Sequence, residues 1–316
     1  MELSIIVPVF NEINYIDNLL TSLISVDVAS KEILLVDGAS NDGTSDKLKE
    51  WSVKYPIIKI IDNPQRYTSH GFNKAYSAST GKYIAFIGAH AIYPINYFSM
   101  AARILDADET DVVGGPLHQA GKTSLGKAIA YCMSTKFGVG DTEFRTSKER
   151  RFVQSVAFAV YKRTVFEKVG LMDEQLIRNQ DDEFHYRLNQ HGYRILMVPE
   201  MGCTYYVRES LKSLAKQYLQ YGLYKPLVLK KVRSGIKLRH LVPAFFVLYI
   251  LLLPALYNLL GLFSLSLLMI YLCALGYFSF INTLSVKQKF YCCAIYTLLH
   301  ITYGAGFIAG LVKTLK

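Results

Sequence analysis

The chain has 316 residues, enough for one large domain with an appendage, and 51% of them are hydrophobic. Its net charge of +10 is unevenly spread: residues 1–202 hold 22 Lys/Arg against 24 Asp/Glu, whereas residues 203–316 hold 13 Lys/Arg and a single acid, Glu209. Basic residues that flank long apolar runs belong beside a membrane, which argues against a nucleic-acid-binding protein.

In chain order, Ser4–Glu12 reads as a buried strand that ends in a polar loop at Pro8, Asn11 and Glu12. The N-terminus has no basic n-region and breaks at Pro8, so the reading is a strand and not a signal peptide. A helix is expected over Tyr15–Ile24, and Glu12 alone reads equally as an acid at its head. Ile33–Val36 is a second apolar run, stopped by Asp37 and followed by Gly38, Ala39, Ser40, Asn41, Asp42 and Gly43. A strand that delivers a carboxylate into a loop of small residues is how open α/β sheets build nucleotide sites; the alternative is an ordinary βα turn. Asp42 is expected to cap a helix over Thr44–Tyr55. Further strands follow at Ile57–Ile61, Tyr83–Ile87, Asp111–Val113 and Arg194–Val198. Residues 117–150 are polar and glycine-bearing, and read as a loop or linker ending in the basic cluster Lys148, Arg150 and Arg151. The five cysteines show no metal-ligand spacing, and a reducing cytosol suits them.

The two opening segments, Ser4–Glu12 and Leu34–Thr44, together resemble the start of family 2 glycosyltransferases, which use nucleotide sugars and have the GT-A fold. Later segments are similar to the ExoA-like branch of that family. The resemblance covers roughly residues 3–245 and implies an α/β, Rossmann-like mixed sheet flanked by helices, followed by a transmembrane helical segment. It implies that Pro8, Glu12, Asp37, Arg66 and Ala89 lie against the sugar nucleotide. ExoA-like enzymes commonly carry Asp-Ala-His-Ala before Tyr-Pro; this chain has Gly88-Ala89-His90-Ala91 before Ile92-Tyr93-Pro94, so the frame is kept and the first carboxylate is lost. His90 is then the expected ligand of a divalent cation, Mn²⁺ or Mg²⁺, with affinity weakened by Gly88; the alternative is a hydrogen-bonded loop histidine. Gln154 stands where the family usually has an acid, and is expected with Gln180 to meet the acceptor or sugar. Asn179-Gln180-Asp181-Asp182-Glu183 resembles the acceptor motif, which makes Asp181 the expected base and Asp182 its neighbour.

Tyr205–Arg239 mixes tyrosines with nine Lys/Arg, as interfacial helices do. Leu241–Val286 has no Asp, Glu, Lys or Arg over 46 residues, length for two passes with a turn at Asn258–Ser264, and Phe290–Val312 supplies a third. The expected organisation is a cytosolic GT-A domain (1–204), basic aromatic interfacial helices (205–240) and about three membrane helices (241–316), multi-pass in a bacterial inner membrane. The expected reaction is inverting transfer from a UDP-sugar to a polyprenyl-diphosphate-linked saccharide in capsule or exopolysaccharide synthesis. The alternative, raised by Gly88 and Gln154, is an inactive transferase serving as a binding subunit of an assembly complex.

Overall fold

The computed structural model describes residues 2–315 apart from 148, 234 and 235; Lys148, named above for its charge, lies outside the described residues. The chain divides into two compact units, residues 1–118 with 143–205, and residues 119–142 with 206–316.

Among the described residues eleven strands are formed: β1 Leu3–Val9, β2 Lys31–Asp37, β3 Ile58–Asp62, β4 Tyr83–Phe86, β5 Ala91–Ile92, β6 Val112–Gly114, β7 Leu117–Ala120, β8 Arg151–Val153, β9 Val160–Lys162, β10 Ile195–Met197 and β11 Cys203–Tyr206. Eight make one mixed sheet in the order β3-β2-β1-β4-β9-β6-β10-β8. The first four run parallel in register, for example Val9 opposite Asp37 and Asp37 opposite Asp62. β9 is antiparallel to both β4 and β6, and β8 closes the far edge antiparallel to β10. Pro8 sits beyond the point where β4 stops pairing with β1 at Ile6–Phe86, so its missing N–H breaks no ladder there.

Because side chains alternate across a strand, the sheet feeds two cores. Ile5, Val7, Ile33 and Leu35 pack on one face with Ile16, Leu19, Leu20 and Leu23 of helix Ile16–Ser25. Ile6, Leu34 and Val36 pack on the other with Phe72, Phe166, Phe184 and Leu188. Burial on both faces explains why β1 and β2 read as continuous apolar runs. Glu32 is 1% exposed within this framework and stitches it together. It accepts from Ser4 Oγ at 2.7 Å, Thr80 N at 2.7 Å and Lys59 Nζ at 2.7 Å. Burial alone would raise its pKa, but these hydrogen bonds, led by Lys59, outweigh it and hold the carboxyl at about 2.

The second unit is helical. Helix Leu211–Val232 lies against helix Val286–Leu315 at glycines. A Cβ on Gly306 would come within 2.2 Å of Leu219 O, and one on Gly310 within 2.3 Å of Leu223 O. Small residues let helix backbones approach this closely, as they do in membrane bundles. Helix Leu238–Leu260, the 3₁₀ turn Gly261–Leu265 and helix Ser266–Phe280 follow, so the turn overlaps the expected Asn258–Ser264 region. Among the described residues two segments, Leu238–Phe280 and Val286–Thr314, are long and apolar enough to cross a bilayer. The first leaves large apolar side chains uncovered, Phe263 at 86% and Leu259 at 79% exposure among them.

The expected loop at 117–150 is corrected in part. Its middle forms helices Ser124–Cys132 and Lys136–Val139, with Ala128, Ile129 and Cys132 buried. His300 Nε2 meets Phe137 O at 2.7 Å, and Tyr296 OH meets Thr135 Oγ1 at 3.0 Å. Glu209 accepts from Lys122 N at 2.6 Å and from both N and Oγ1 of Thr123, which accounts for the one acid in a basic third.

Candidate active site

Parallel strands β1, β2, β3 and β4 end on one edge of the sheet, and their following loops collect there. The loops after β1 and β2 are laced. Asn11 and Asn41 exchange hydrogen bonds, Nδ2 to Oδ1 at 3.0 Å and Asn41 N to Asn11 Oδ1 at 2.9 Å. Asn11 N donates to Ser40 Oγ and Glu12 N to Thr44 Oγ1, both at 2.9 Å. Asp42 takes the Thr44 N–H at 3.1 Å, as a helix-entry acid should, and also the Ile13 N–H at 3.3 Å. It stands before Gly43, which holds the N-cap position, so Asp42 is as much a loop tie as a cap. Gly43 has φ of +96°, a conformation that suits glycine.

Asp37 is 7% exposed and largely committed to its own loop. One oxygen accepts from Ser40 N at 3.1 Å and Ser40 Oγ at 2.7 Å, and the other from Ser45 Oγ. Three of roughly four acceptor positions are thus filled, leaving one for an outside donor. Arg66, in left-handed backbone at φ 64°, lays its guanidinium 5.3 Å from the Phe10 ring. Lys74 reaches Asp62 O at 3.3 Å and ties its helix to the β3 loop. Ala89 is buried in the core and Pro8 is part of β1.

After β4, Glu12 and His90 meet, with Glu12 Oε1 2.8 Å from His90 Nε2. The approach is off the ring N–H direction, so neither ring nitrogen gains a hydrogen bond, and Glu12 Oε2 also has none. The His90 ring stands edge-on to Tyr15 at 4.6 Å. The space expected for a carboxylate at position 88 is taken: a Cβ on Gly88 would lie 2.5 Å from Phe158 Cε1 and 2.7 Å from Cζ. Phe158 has φ of 54°, and its carbonyl accepts from Tyr97 OH at 2.7 Å. Sequence reasoning missed Phe158, because its contact with Gly88 spans 70 residues. Among the described residues, no three His, Cys, Asp or Glu side chains gather into a metal cluster.

Helix Gln180–Gln190 feeds β10 through a short turn, so it runs back along the sheet with its head toward the same edge. Asn179 precedes it in left-handed backbone, Gln180 is buried, and Asp181 is exposed in the first turn. Asp182 N donates to Asp181 Oδ1 at 2.9 Å. Glu183 is different: it is buried and doubly paired with Arg187, at 2.8 and 3.0 Å, while Arg187 also donates to Val169 O and Leu171 O. One turn on, the buried ring of His185 lies 3.1 Å from Ser155 Oγ and 2.8 Å from Tyr161 OH. Burial lowers its pKa to about 4, against the raising effect of Asp182, so the ring is neutral near pH 7. Burial, then the charge of Asp181, raises the Tyr161 hydroxyl well above its usual value. Gln154 is exposed, with its carbonyl on Asn189 Nδ2 at 3.0 Å, so its main chain lies beside the helix beyond His185 and not at the head.

The profile of glycosyl transferase family 2 matches residues 4–170, more than half of the chain. The chain belongs to this family. It is 30% identical over 242 residues to the succinoglycan biosynthesis protein ExoA of Rhizobium meliloti (strain 1021), covering 76% of this chain and 73% of that one. It is 31% identical over 240 residues to a dolichyl N-acetyl-alpha-D-glucosaminyl phosphate 3-beta-D-2,3-diacetamido-2,3-dideoxy-beta-D-glucuronosyltransferase of Methanococcus voltae, covering 72% and 74%. In fold it matches the mannosyltransferase PcManGT of Pyrobaculum calidifontis, solved with GDP-Man and Mn²⁺, with a TM-score of 0.64 at 19% identity over 99% of this chain and 87% of that chain. The chain is a family 2 glycosyltransferase, with a GT-A-like mixed sheet and C-terminal apolar helices long enough to span a membrane.

Proposed function

We propose that this glycosyltransferase is membrane-anchored, takes a UDP-sugar and transfers the sugar with inversion to a polyprenyl-diphosphate-linked saccharide in capsule or exopolysaccharide synthesis. The observation that carries the reading is the single sheet edge on which the Asp37 loop, the Glu12–His90 contact and the strand-end arginine Arg66 collect, with the acidic helix head directed toward it. Asp37 has one acceptor position left for a ribose hydroxyl or base N–H. Phe10 and Arg66 offer a flat apolar ring with a cation, suited to a base and a diphosphate. Pro8 and Ala89 are assigned to the sugar nucleotide. Gln180 and Gln154 are assigned to sugar or acceptor hydroxyls, Gln154 through its side chain alone.

Asp181 is the proposed base. As an acceptor hydroxyl attacks the anomeric carbon, the bond to the diphosphate breaks and the hydroxyl proton passes to Asp181, with Asp182 as a second carboxylate beside it. No enzyme nucleophile is needed, so the configuration inverts. A divalent cation, Mn²⁺ or Mg²⁺, would offset the charge that builds on the leaving diphosphate. His90 fits the role of holding it, since both its ring nitrogens lack hydrogen-bond partners.

Exposed apolar side chains along Leu238–Phe280 support membrane anchoring, since a contiguous surface of that length is not stable against water. The basic residues of helix Leu211–Val232 and its flanks suit anionic headgroups, and placing the transferase unit in the cytosol follows the positive-inside rule. A panel of UDP- and GDP-sugars, offered with bacterial lipid extract and followed by NMR of the product linkage, tests the reading. One UDP-sugar giving a lipid-linked product of inverted configuration is expected; a retained configuration or a GDP donor contradicts it. Phe158 in the space of the missing carboxylate favours a second reading, a donor-binding subunit without turnover. Donor binding with no transfer in the same panel would select it.

A further inference from the structure

Glu12 and His90 stand on the loops that follow the neighbouring parallel strands β1 and β4, which brings the two side chains together. Glu12 is fixed through its N–H on Thr44 Oγ1, and it follows Asn11, whose left-handed backbone is laced to Ser40 and Asn41. His90 follows β4 and is braced by Tyr15 at 4.6 Å and Tyr205 at 6.5 Å. The result is a carboxylate 8% exposed and a mostly buried imidazole, their nearest atoms 2.8 Å apart, with Glu12 Oε2 and both His90 nitrogens making no hydrogen bond. Unmet polar atoms at this depth are costly to bury, which makes them candidates for an outside ligand. The neighbouring position that would ordinarily supply a carboxylate is blocked, because Phe158 fills the space over Gly88.

We propose that Glu12 and His90 jointly hold the divalent cation, Glu12 providing the carboxylate that position 88 lacks. The inference rests on the sugar-nucleotide reading above. One carboxylate and one imidazole are too few to hold a six-coordinate cation firmly in water, so diphosphate oxygens must complete the set. The cation therefore binds with the nucleotide and not before it. A mixed oxygen and nitrogen pair also favours Mn²⁺ over Mg²⁺, which takes oxygen ligands almost alone. The competing account is a plain Glu12–His90 ion pair with no ligand.

Full-length protein in detergent is titrated with Mn²⁺ with and without UDP, reading free Mn²⁺ by electron paramagnetic resonance, while radiolabelled UDP binding is measured in parallel with EDTA. The wild type is expected to take up one Mn²⁺ per chain only with UDP, and Mg²⁺ in excess to displace it poorly. Glu12→Gln and His90→Asn are each expected to weaken Mn²⁺ uptake at least tenfold, and His90→Asn to leave UDP binding in EDTA within about threefold. Trp51 fluorescence checks that each variant folds, and Glu12→Asp, which keeps the carboxylate, should recover part of the affinity. Unchanged Mn²⁺ uptake in Glu12→Gln overturns the proposal, as does UDP binding in the wild type with no Mn²⁺ uptake; in both cases the donor reading stands. Failure of UDP to bind under any condition overturns the donor reading itself.

Discussion

Replacing Gly88 by Asp restores the acid that ExoA-like relatives commonly carry, and the structure predicts that this harms the protein. The new Cβ would lie 2.5 and 2.7 Å from two Phe158 ring carbons, closer than real Cβ atoms approach. Phe158 cannot simply swing away, since its main chain is left-handed at φ 54° and its carbonyl is held by Tyr97 OH at 2.7 Å. Its ring is also packed against Tyr93 at 5.8 Å and Tyr205 at 6.2 Å. Overpacking of this kind costs about 1–3 kcal/mol. Phe158→Ala alone should cost less than the ~3–5 kcal/mol typical of a fully buried Phe, because the ring is half-buried. In the double variant the clash is gone, so the two effects should couple favourably by about 1 kcal/mol or more. The assay is built in. Trp51 is the one tryptophan, its indole N–H donates to Asp17 at 2.7 Å, and its fluorescence reports unfolding of the transferase unit. A neutral Gly88→Asp, or a double variant no better than the sum of the singles, would refute the steric argument.

Acid should loosen the transferase unit in two stages. Glu32 is held at about 2, below its ordinary 4.5, so its contribution of about 3 kcal/mol is full above pH 4.5 and is lost as pH falls toward 2; Glu32→Gln should flatten the Trp51 midpoint over that range. His185, lowered from 6.5 to about 4, is neutral in the fold and binds its proton more readily unfolded, so stability should also fall between pH 6.5 and 4, a slope that His185→Gln removes. In the helical unit, Gly306→Ala puts a Cβ 2.2 Å from Leu219 O and should part the two helices. Maleimide labelling of the buried Cys292, read by mass spectrometry, should then rise severalfold; unchanged labelling would argue against close glycine packing.

The parallel half of the sheet was legible because strands buried on both faces are unbroken apolar runs: β1 and β2 contain the apolar runs read from the sequence, with ends that differ by one to three residues. The acidic block at Asp181–Glu183 was legible as a helix head, but not the division within it, since the pairing of Glu183 with Arg187 depends on the tilt of the helix against Val169 and Leu171. Residues 117–150 read as loop because they are polar and glycine-bearing, and Gly126 and Gly138 look like breakers in a one-dimensional pattern. In the fold they are close-approach points, Gly138 against Cys132 O and Gly126 against Glu209, and the tertiary setting overrides their weak helix propensity. The lacing of Asn11 to Asn41, and of Asp37 to Ser40 and Ser45, left only a faint signal in the run of small polar residues. Phe158 left none.

The most direct test of the account is transfer of radiolabelled sugar from a UDP donor to extractable lipid, comparing wild type with Asp181→Asn. The account predicts labelled lipid with the wild type, a loss of at least about 10²-fold in Asp181→Asn, as removal of a general base typically brings, and UDP binding unchanged between the two. Undiminished transfer by Asp181→Asn would remove that residue from its role, and no labelled lipid from any wild-type pairing of donor and extract would contradict the transferase account itself.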